Sequence, residues 1–261
     1  MAETRRADQL LVEQGLAADL EEASRLVMAG KVRFRGQLVF QASQQLPLEG
    51  GLELLPDPPF VSRGGEKLQA AFEAFPISVA GLVCADVGAS TGGFTDCLLQ
   101  QGAARVFSID VGYGLLDWQL RNHPRVIVLE RTNARGLDQL PEQVGFISAD
   151  VSFISLKKIF PAMAGWYLPE GGQAVVLIKP QFEAEREEAA RGSGVIRDPA
   201  IHQRVLADVL SAASGEGFQP LGLLRSPLQG PAGNEEFLAW LSCCREGLDS
   251  RNAAEMISSL F

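Results

Sequence analysis

The chain has 261 residues, 46% of them hydrophobic and 21% charged, with a formal net charge of −9. That is enough for one good-sized α/β domain and a small second module. The acidic balance excludes a general nucleic-acid coat protein but leaves room for a locally basic face. No apolar run approaches the ~20 residues that span a bilayer. The opening "MAETRRADQL" is polar, which predicts no secretory signal and a cytoplasmic protein. Cys84, Cys97, Cys243 and Cys244 show neither C-x-x-C spacing nor neighbouring histidines. They are expected to be reduced, half-buried residues, and no metal site is expected.

Residues 1–55 differ in character from the rest. "RRADQLLVEQGL" predicts a short helix ending near Gly15, and "DLEEASRLVMAG" a second one. Asp19 stands at its cap, Glu22 follows at capping-box spacing, and Gly30 ends it. "KVRFRGQLVF" alternates charged and apolar residues up to a glycine turn, which predicts a hairpin. On one strand Lys31, Arg33 and Arg35 would share a face, with Arg25 preceding them on the helix. "GGLELL" adds a short strand, and "PDPPF", residues 56–60, is a stiff linker. This order of elements resembles the αL RNA-binding module of a small-subunit ribosomal protein, bacterial tyrosyl-tRNA synthetase and many pseudouridine synthases. The resemblance implies that Arg6, the second helix and the following Lys31 meet structured RNA. "QASQQL" after the hairpin lacks the further basic residues expected there.

From residue 61 to 247 strand and helix patterns alternate. "LVCADVGA", "RVFSIDVGYG", "RVIVLE", "VGFISADVSF" and "QAVVLIKP" read as strands, and "GGFTDCLLQQ", "LLDWQLRNH", "SLKKIFPAMAGWY" and "DPAIHQRVLADVLSAASGEG" as helices. "FQPLGLLRSP" and "EEFLAWLSCC" close the domain as strands. Such alternation predicts a mostly parallel sheet flanked by helices, an α/β Rossmann-like architecture. The polar run 181–199 predicts a mobile lid, helical at most over 184–190. The tail from 248 to 261 is expected to be loose unless Met256, Ile257, Leu260 and Phe261 dock. His123 and His202 are expected to be structural or surface residues.

"CADVGASTGGFTD", residues 84–96, joins a strand to a helix through Gly88, Gly92 and Gly93. Glycines let the backbone turn tightly and approach a ligand. A dinucleotide site needs G-x-G-x-x-G, whereas the spacing here is G-x-x-x-G-G with Asp86 ahead of it. A carboxylate there would repel a pyrophosphate and suit an amine-bearing ligand. The arrangement looks like an S-adenosylmethionine site. Asp86, Gly88, Ser90, Thr91, Gly92, Gly93 and Phe94 would lie at its amino-acid end, Asp110 at the ribose, and Asn133 near the adenine.

In open parallel sheets ligands sit beyond the carboxyl ends of the strands. Asp150 and Lys179 end strands, Glu236 opens the last one, and Lys67 precedes the first. "SRGGEKL", "DVGASTGGFTD", "ADVSFISL", "LIKPQFE" and "GPAGNEEF" together resemble the bacterial TlyA family, often labelled hemolysin A. Its catalytic domain is similar to FtsJ-type ribose 2′-O-methyltransferases. The resemblance implies a catalytic tetrad of Lys67, Asp150, Lys179 and Glu236, with Asp150 also near the cofactor and Arg63 added to the RNA-contact residues. It implies S-adenosylmethionine as cofactor, cytidine in 16S or 23S ribosomal RNA within subunits as substrate, and neither DNA nor a membrane as partner. Two alternatives remain at this point, a membrane-active hemolysin and a non-catalytic RNA-binding assembly factor.

Overall fold

A computed structural model describes residues 3–243 and 252–261. The chain divides into two units, residues 1–58 and 59–261, so the boundary falls inside the proline-rich linker.

In the first unit β1 (Thr4–Arg6) runs into α1 (Ala7–Glu13), and Gly15 at φ 71° ends the turn that follows. Helix α2 (Leu20–Met28) starts where the capping pattern predicts, with the Asp19 carboxylate accepting from Glu22 N–H at 2.8 Å. The reciprocal bond reaches Ala18 N–H rather than the cap residue itself. Strands β2 (Val32–Phe34) and β3 (Gln37–Leu38) are joined by Arg35 and Gly36, both at positive φ. That is the primed two-residue turn whose twist suits a hairpin. Strand β4 (Gln45–Pro47) pairs antiparallel with β1, and β5 (Leu52–Leu54) with β2. Alternation sends Val32 and Phe34 into a small core with Leu11, Val27 and Leu46.

The basic face is narrower than the alternation implies. Only Arg33 lies within β2; Lys31 precedes it and Arg35 sits in the turn. Lys31 pairs with Asp57, Arg25 with Glu21 at 3.2 Å, and Arg6 with Asp8 at 2.6 Å. Arg35 donates to the Glu49 carbonyl at 2.6 Å. The acidic composition supplies local partners for most of the cations. Among the described residues, Arg33 is exposed and makes no ion pair.

The second unit opens with α3 (Gly64–Ala74) and then alternates: β6 (Val83–Val87), α4 (Gly93–Gln100), β7 (Arg105–Ile109), α5 (Trp118–Arg121), β8 (Val126–Leu129) and β9 (Phe146–Ala149). There follow α6 (Phe160–Ala164), β10 (Gly172–Ile178), α7 (Pro180–Glu183), α8 (Arg186–Arg191), α9 (Pro199–Gly215), β11 (Phe218–Arg225), β12 (Phe237–Cys243) and α10 (Ala253–Ser258). The seven strands form one sheet in the order β11-β12-β10-β9-β6-β7-β8. Strand β12 alone runs against the direction of the other six. In β10, Ala174, Val176 and Ile178 enter one core while Val175 and Leu177 enter the other. A strand covered on both faces reads as an unbroken apolar run, as this one does. The chain leaves the central β6 for β7 on one side and reaches β9 on the other. The resulting crevice at the carboxyl ends of β6 and β9 is where such folds place ligands.

Several expectations are corrected here. Within the run 181–199 the helix expected over 184–190 is present as α8 (Arg186–Arg191), and the run is tied down rather than loose. Helix α8 carries a capping box between Glu185 and Glu188, and Glu188 pairs with Arg204 of α9. Asn234 then pins the segment that follows, accepting from Ile196 N–H at 3.0 Å and donating to the Gly194 carbonyl at 2.8 Å. "SLKKIFPAMAGWY" is a 3₁₀ turn at Leu156–Lys158 and a five-residue helix rather than one continuous helix. The tail docks where it is described: Met256 and Ile257 are buried, and Phe261 stacks near Phe237 and Arg225. Cys84 and Cys97 are fully buried rather than half-buried, and Cys244 lies outside the described residues. Burial pushes the Cys84 thiol up to about 12 and raises that of Cys97 as well. His202 is buried in α9 against the Ile196 carbonyl, a structural role as expected.

Candidate active site

Gly88 follows β6 at φ 81°, and its N–H donates to the Ile109 carbonyl at 2.8 Å. Any Cβ there would run into the backbone carbonyl of Asp150. The turn and the end of β9 therefore touch, and glycine is required on both counts. Gly92 and Gly93 serve packing: a side chain at the first would strike Leu120 and Leu116, and at the second Ser62 and Gly65.

Beyond the strand ends lies a cleft of about 580 Å³. Gly88, Ser90, Asp110, Asn133 and Asp150 line it, between apolar walls that include Ile109, Leu115 and Ile154. The Asp110 carboxylate is keyed by Ser90 N–H at 2.8 Å and Gly112 N–H at 2.7 Å. A carboxylate has about four acceptor positions, so two remain for a diol. The Asn133 Oδ1 caps the next turn by accepting from Arg135 N–H at 3.1 Å, which leaves its amide donors. A polar end fitted to a ribose, apolar walls and a side-chain-free turn fit S-adenosylmethionine.

Asp86 is not at this surface. It is wholly buried beneath the turn, and its carboxylate accepts from Thr95 Oγ1 at 2.7 Å and Ser148 Oγ at 3.1 Å. Thr95 in turn shares a hydrogen bond with Ser108 at 2.8 Å. The expectation that Asp86 meets the ligand's amine is corrected to a supporting role under the turn. The three hydroxyls were invisible as a set because they come from one helix and two strands. Thr91, Gly93 and Phe94 line the neighbouring pocket instead, and Gly92 lines neither.

Burial raises the Asp86 carboxyl to about 7 from 3.8, against the opposing hydroxyl hydrogen bonds. The unfolded chain then binds fewer protons than the folded one between those values. Stability is therefore expected to fall as pH rises from about 4 to about 7 and to level off above. Asp86→Asn, which can still bond both hydroxyls, is expected to remove that component. Urea titrations at pH 5 and pH 8 check it: an unchanged pH slope in the variant contradicts the assignment.

The second pocket, about 210 Å³, is lined by Ser62, Arg63, Lys67, Asp150, Gln229 and Pro231 among others. It shares Gly88, Ser90 and Asp150 with the cofactor cleft. Two ion pairs border it, each through one lining residue, Lys67 or Asp150; their partners Glu236 and Lys179 line neither pocket. Lys67 Nζ from α3 donates to Glu236 Oε2 at 2.5 Å, and both side chains are buried. Lys179 Nζ, at the end of β10, lies 2.5 Å from Asp150 Oδ1 and donates to Ser152 Oγ at 2.8 Å. The apolar strand ends on a lysine because that amine has two fixed partners, which offset its desolvation of several kcal/mol. Gly230 passes so close to Glu236 that a Cβ would lie 2.6 Å from its Oε1. All four predicted acids and amines are thus held in two pairs, and Lys67 and Asp150 line one pocket. Ser152 was not anticipated; its place two residues after Asp150 was the available signal.

Comparison with known proteins identifies the family. The FtsJ-like methyltransferase family model matches residues 60–243. The 16S/23S rRNA (cytidine-2′-O)-methyltransferase TlyA of Mycobacterium tuberculosis is 45% identical over 247 residues, 92% of this chain and 91% of that protein. Hemolysin A of Brachyspira hyodysenteriae is 39% identical over 240 residues, 90% of this chain and 98% of that one. A solved protein from Streptococcus thermophilus that carries a provisional hemolysin description superposes with a TM-score of 0.73 at 40% identity, over 99% of this chain and 96% of that one. Cofactor cleft, paired lysines and these likenesses lead to one assignment: the chain belongs to the FtsJ-like methyltransferase family, within the group that bears the TlyA and hemolysin A names.

Proposed function

We propose that the protein transfers a methyl group to the 2′-hydroxyl of a cytidine in ribosomal RNA, acting on small or large ribosomal subunits in the cytoplasm. The observation that carries the reading is the pair of lysine–carboxylate contacts at the junction of two pockets, one of which fits an adenosyl ligand. Bound S-adenosylmethionine supplies an already activated methyl group, so the protein's work is alignment and the handling of one proton.

Lys179 is the residue for that proton. Ser152 takes one of its three donor directions, and the Asp150 carboxylate, 2.5 Å away, holds the amine as an ion partner. As a neutral amine it takes the hydroxyl proton; as an ammonium it stabilises the oxygen's developing charge. Lys67, held by Glu236, and the exposed Arg63 at the same pocket orient the ribose and its phosphate. Phe153 is 90% exposed at φ 62°, lines the cofactor cleft and lies 5.0 Å from the Phe182 ring. An aromatic so placed offers a stacking face to an unpaired base.

The first unit supplies RNA contact. With most of its cations paired, it favours a shaped, assembled substrate over naked RNA. Arg33→Glu is expected to weaken subunit binding roughly fivefold at low salt and less at high salt, without changing the methylation rate at saturation. Filter binding across a salt series checks this, and an affinity unmoved at every salt contradicts it. The hemolysin reading has less support: no helix among the described residues is long and apolar enough to cross a membrane. The proposal itself is tested by transfer of labelled methyl from S-adenosylmethionine to purified subunits. Bound cofactor with no label on either subunit overturns it.

A further inference from the structure

Glu183 belongs to the "LIKPQFE" stretch, yet the chemistry above does not use it. It closes α7, four residues after Lys179. Its Oε2 accepts from Ser155 Oγ at 2.5 Å and its Oε1 from Leu156 N–H at 2.7 Å. Ser155 caps the 3₁₀ turn at Leu156–Lys158, so one carboxylate holds both the cap and the turn's first amide. Phe182 meets Phe153, and Lys179 meets Asp150 and Ser152. The two segments thus touch at three successive points, with Glu183 at the far end. The held segment matters twice. Asp150, Ser152, Phe153 and Ile154 all line the cofactor cleft, and Asp150 lines the lysine pocket too. Phe153 sits in the left-handed region that bulky side chains avoid, so the loop needs outside contacts to keep its course.

We infer that Glu183 is a positioning residue: it latches the Asp150–Leu156 loop to the end of β10, and so sets both the Lys179–Asp150 pair and one wall of the cofactor cleft. The role rests on the methyl-transfer reading for its effect on rate, but not for its effect on cofactor affinity. Glu183 does not face the reacting atoms, so its capacity to exchange a proton is not needed. Glutamine can replace it. The Gln oxygen accepts from Leu156 N–H, and its amide donates to Ser155 Oγ once that hydroxyl turns round.

The test uses the full chain with Glu183→Ala, Glu183→Gln and Ser155→Ala, read by calorimetry with S-adenosylhomocysteine and by single-turnover methylation of subunits at saturating cofactor. Glu183→Ala is expected to weaken the ligand roughly tenfold and slow transfer by roughly 50-fold, the scale of a misplaced catalytic group. Glu183→Gln is expected to stay within about threefold of the parent in both, with the parent's pH–rate profile. Ser155→Ala, which removes one of two ties, is expected to fall between them, and it carries the test if Glu183→Ala does not fold. Amide exchange at Leu156 is expected to quicken in step with the loss. Unchanged affinity and rate in Glu183→Ala and Ser155→Ala overturn the latch, as does Glu183→Gln as impaired as alanine. A parent chain that methylates no subunit overturns the function instead, while calorimetry and exchange still judge the latch.

Discussion

Lys179→Ala is expected to abolish methyl transfer, by roughly a thousandfold or more, while the chain stays folded and binds its cofactor. A ribose hydroxyl is a poor nucleophile, and on the proposed reading Lys179 gives it either general-base or electrostatic help; each is worth about two to four powers of ten. The variant strands Asp150 Oδ1, a buried oxygen, although the side chain as a whole is 21% accessible. Some loss of stability is therefore expected beside the chemical loss, and cofactor binding by the variant shows that it stays folded. Lys179→Arg separates the two roles. A guanidinium stays charged and cannot accept the proton. Retention of a few per cent of the rate identifies electrostatic stabilisation; loss equal to alanine identifies the base. Full activity of Lys179→Ala contradicts the mechanism altogether.

The second large effect falls on stability. Lys67 and Glu236 form a pair with side-chain accessibilities of 11% and 1%. Removing one partner strands the other, and breaking such a pair costs about 3–5 kcal/mol. Lys67→Met is accordingly expected to lower stability by that amount, because the buried Glu236 carboxylate is left without its amine. The double variant Lys67→Met, Glu236→Leu is expected to recover most of the lost stability, since burying an apolar pair in place of ions is often neutral. It is expected to remain inactive. Chemical denaturation and the methylation assay on all three chains form a double-mutant cycle. If the double variant regains activity with stability, the pair is architecture alone and Lys67 has no part in binding ribose.

Local signals in the sequence were specific where chain and function coincide. The apolar run before Lys179 announced a strand buried on both faces, and the glycine spacing after Asp86 separated an adenosyl site from a dinucleotide one. Asp19 and Gly30 bounded α2 as capping chemistry requires. The four acids and amines were legible because each stands at a strand end or a helix start. Their pairing was not, since Lys67 meets Glu236 across 169 positions of chain. The same holds for Asp86, whose fate depends on hydroxyls from α4, β7 and β9. The run 181–199 was legible as partly helical, but its ties were not: Glu183, Glu188 and Asn234 hold it through partners distant in sequence. Basic residues misled in the other direction: alternation put three cations on one face, and nearby acids and a tight turn took two of them away.

Paired amines and carboxylates that serve one ribose oxygen put the methyl on the sugar and not on a base. The most direct measurement is to label ribosomal subunits with the purified protein and S-adenosylmethionine carrying a tritiated methyl group, digest the RNA with alkali, and locate the label. Label is expected in an alkali-resistant dinucleotide whose first nucleoside is a 2′-O-methylated cytidine. Label on a base, or on a dinucleotide whose first nucleoside is not cytidine, would contradict it.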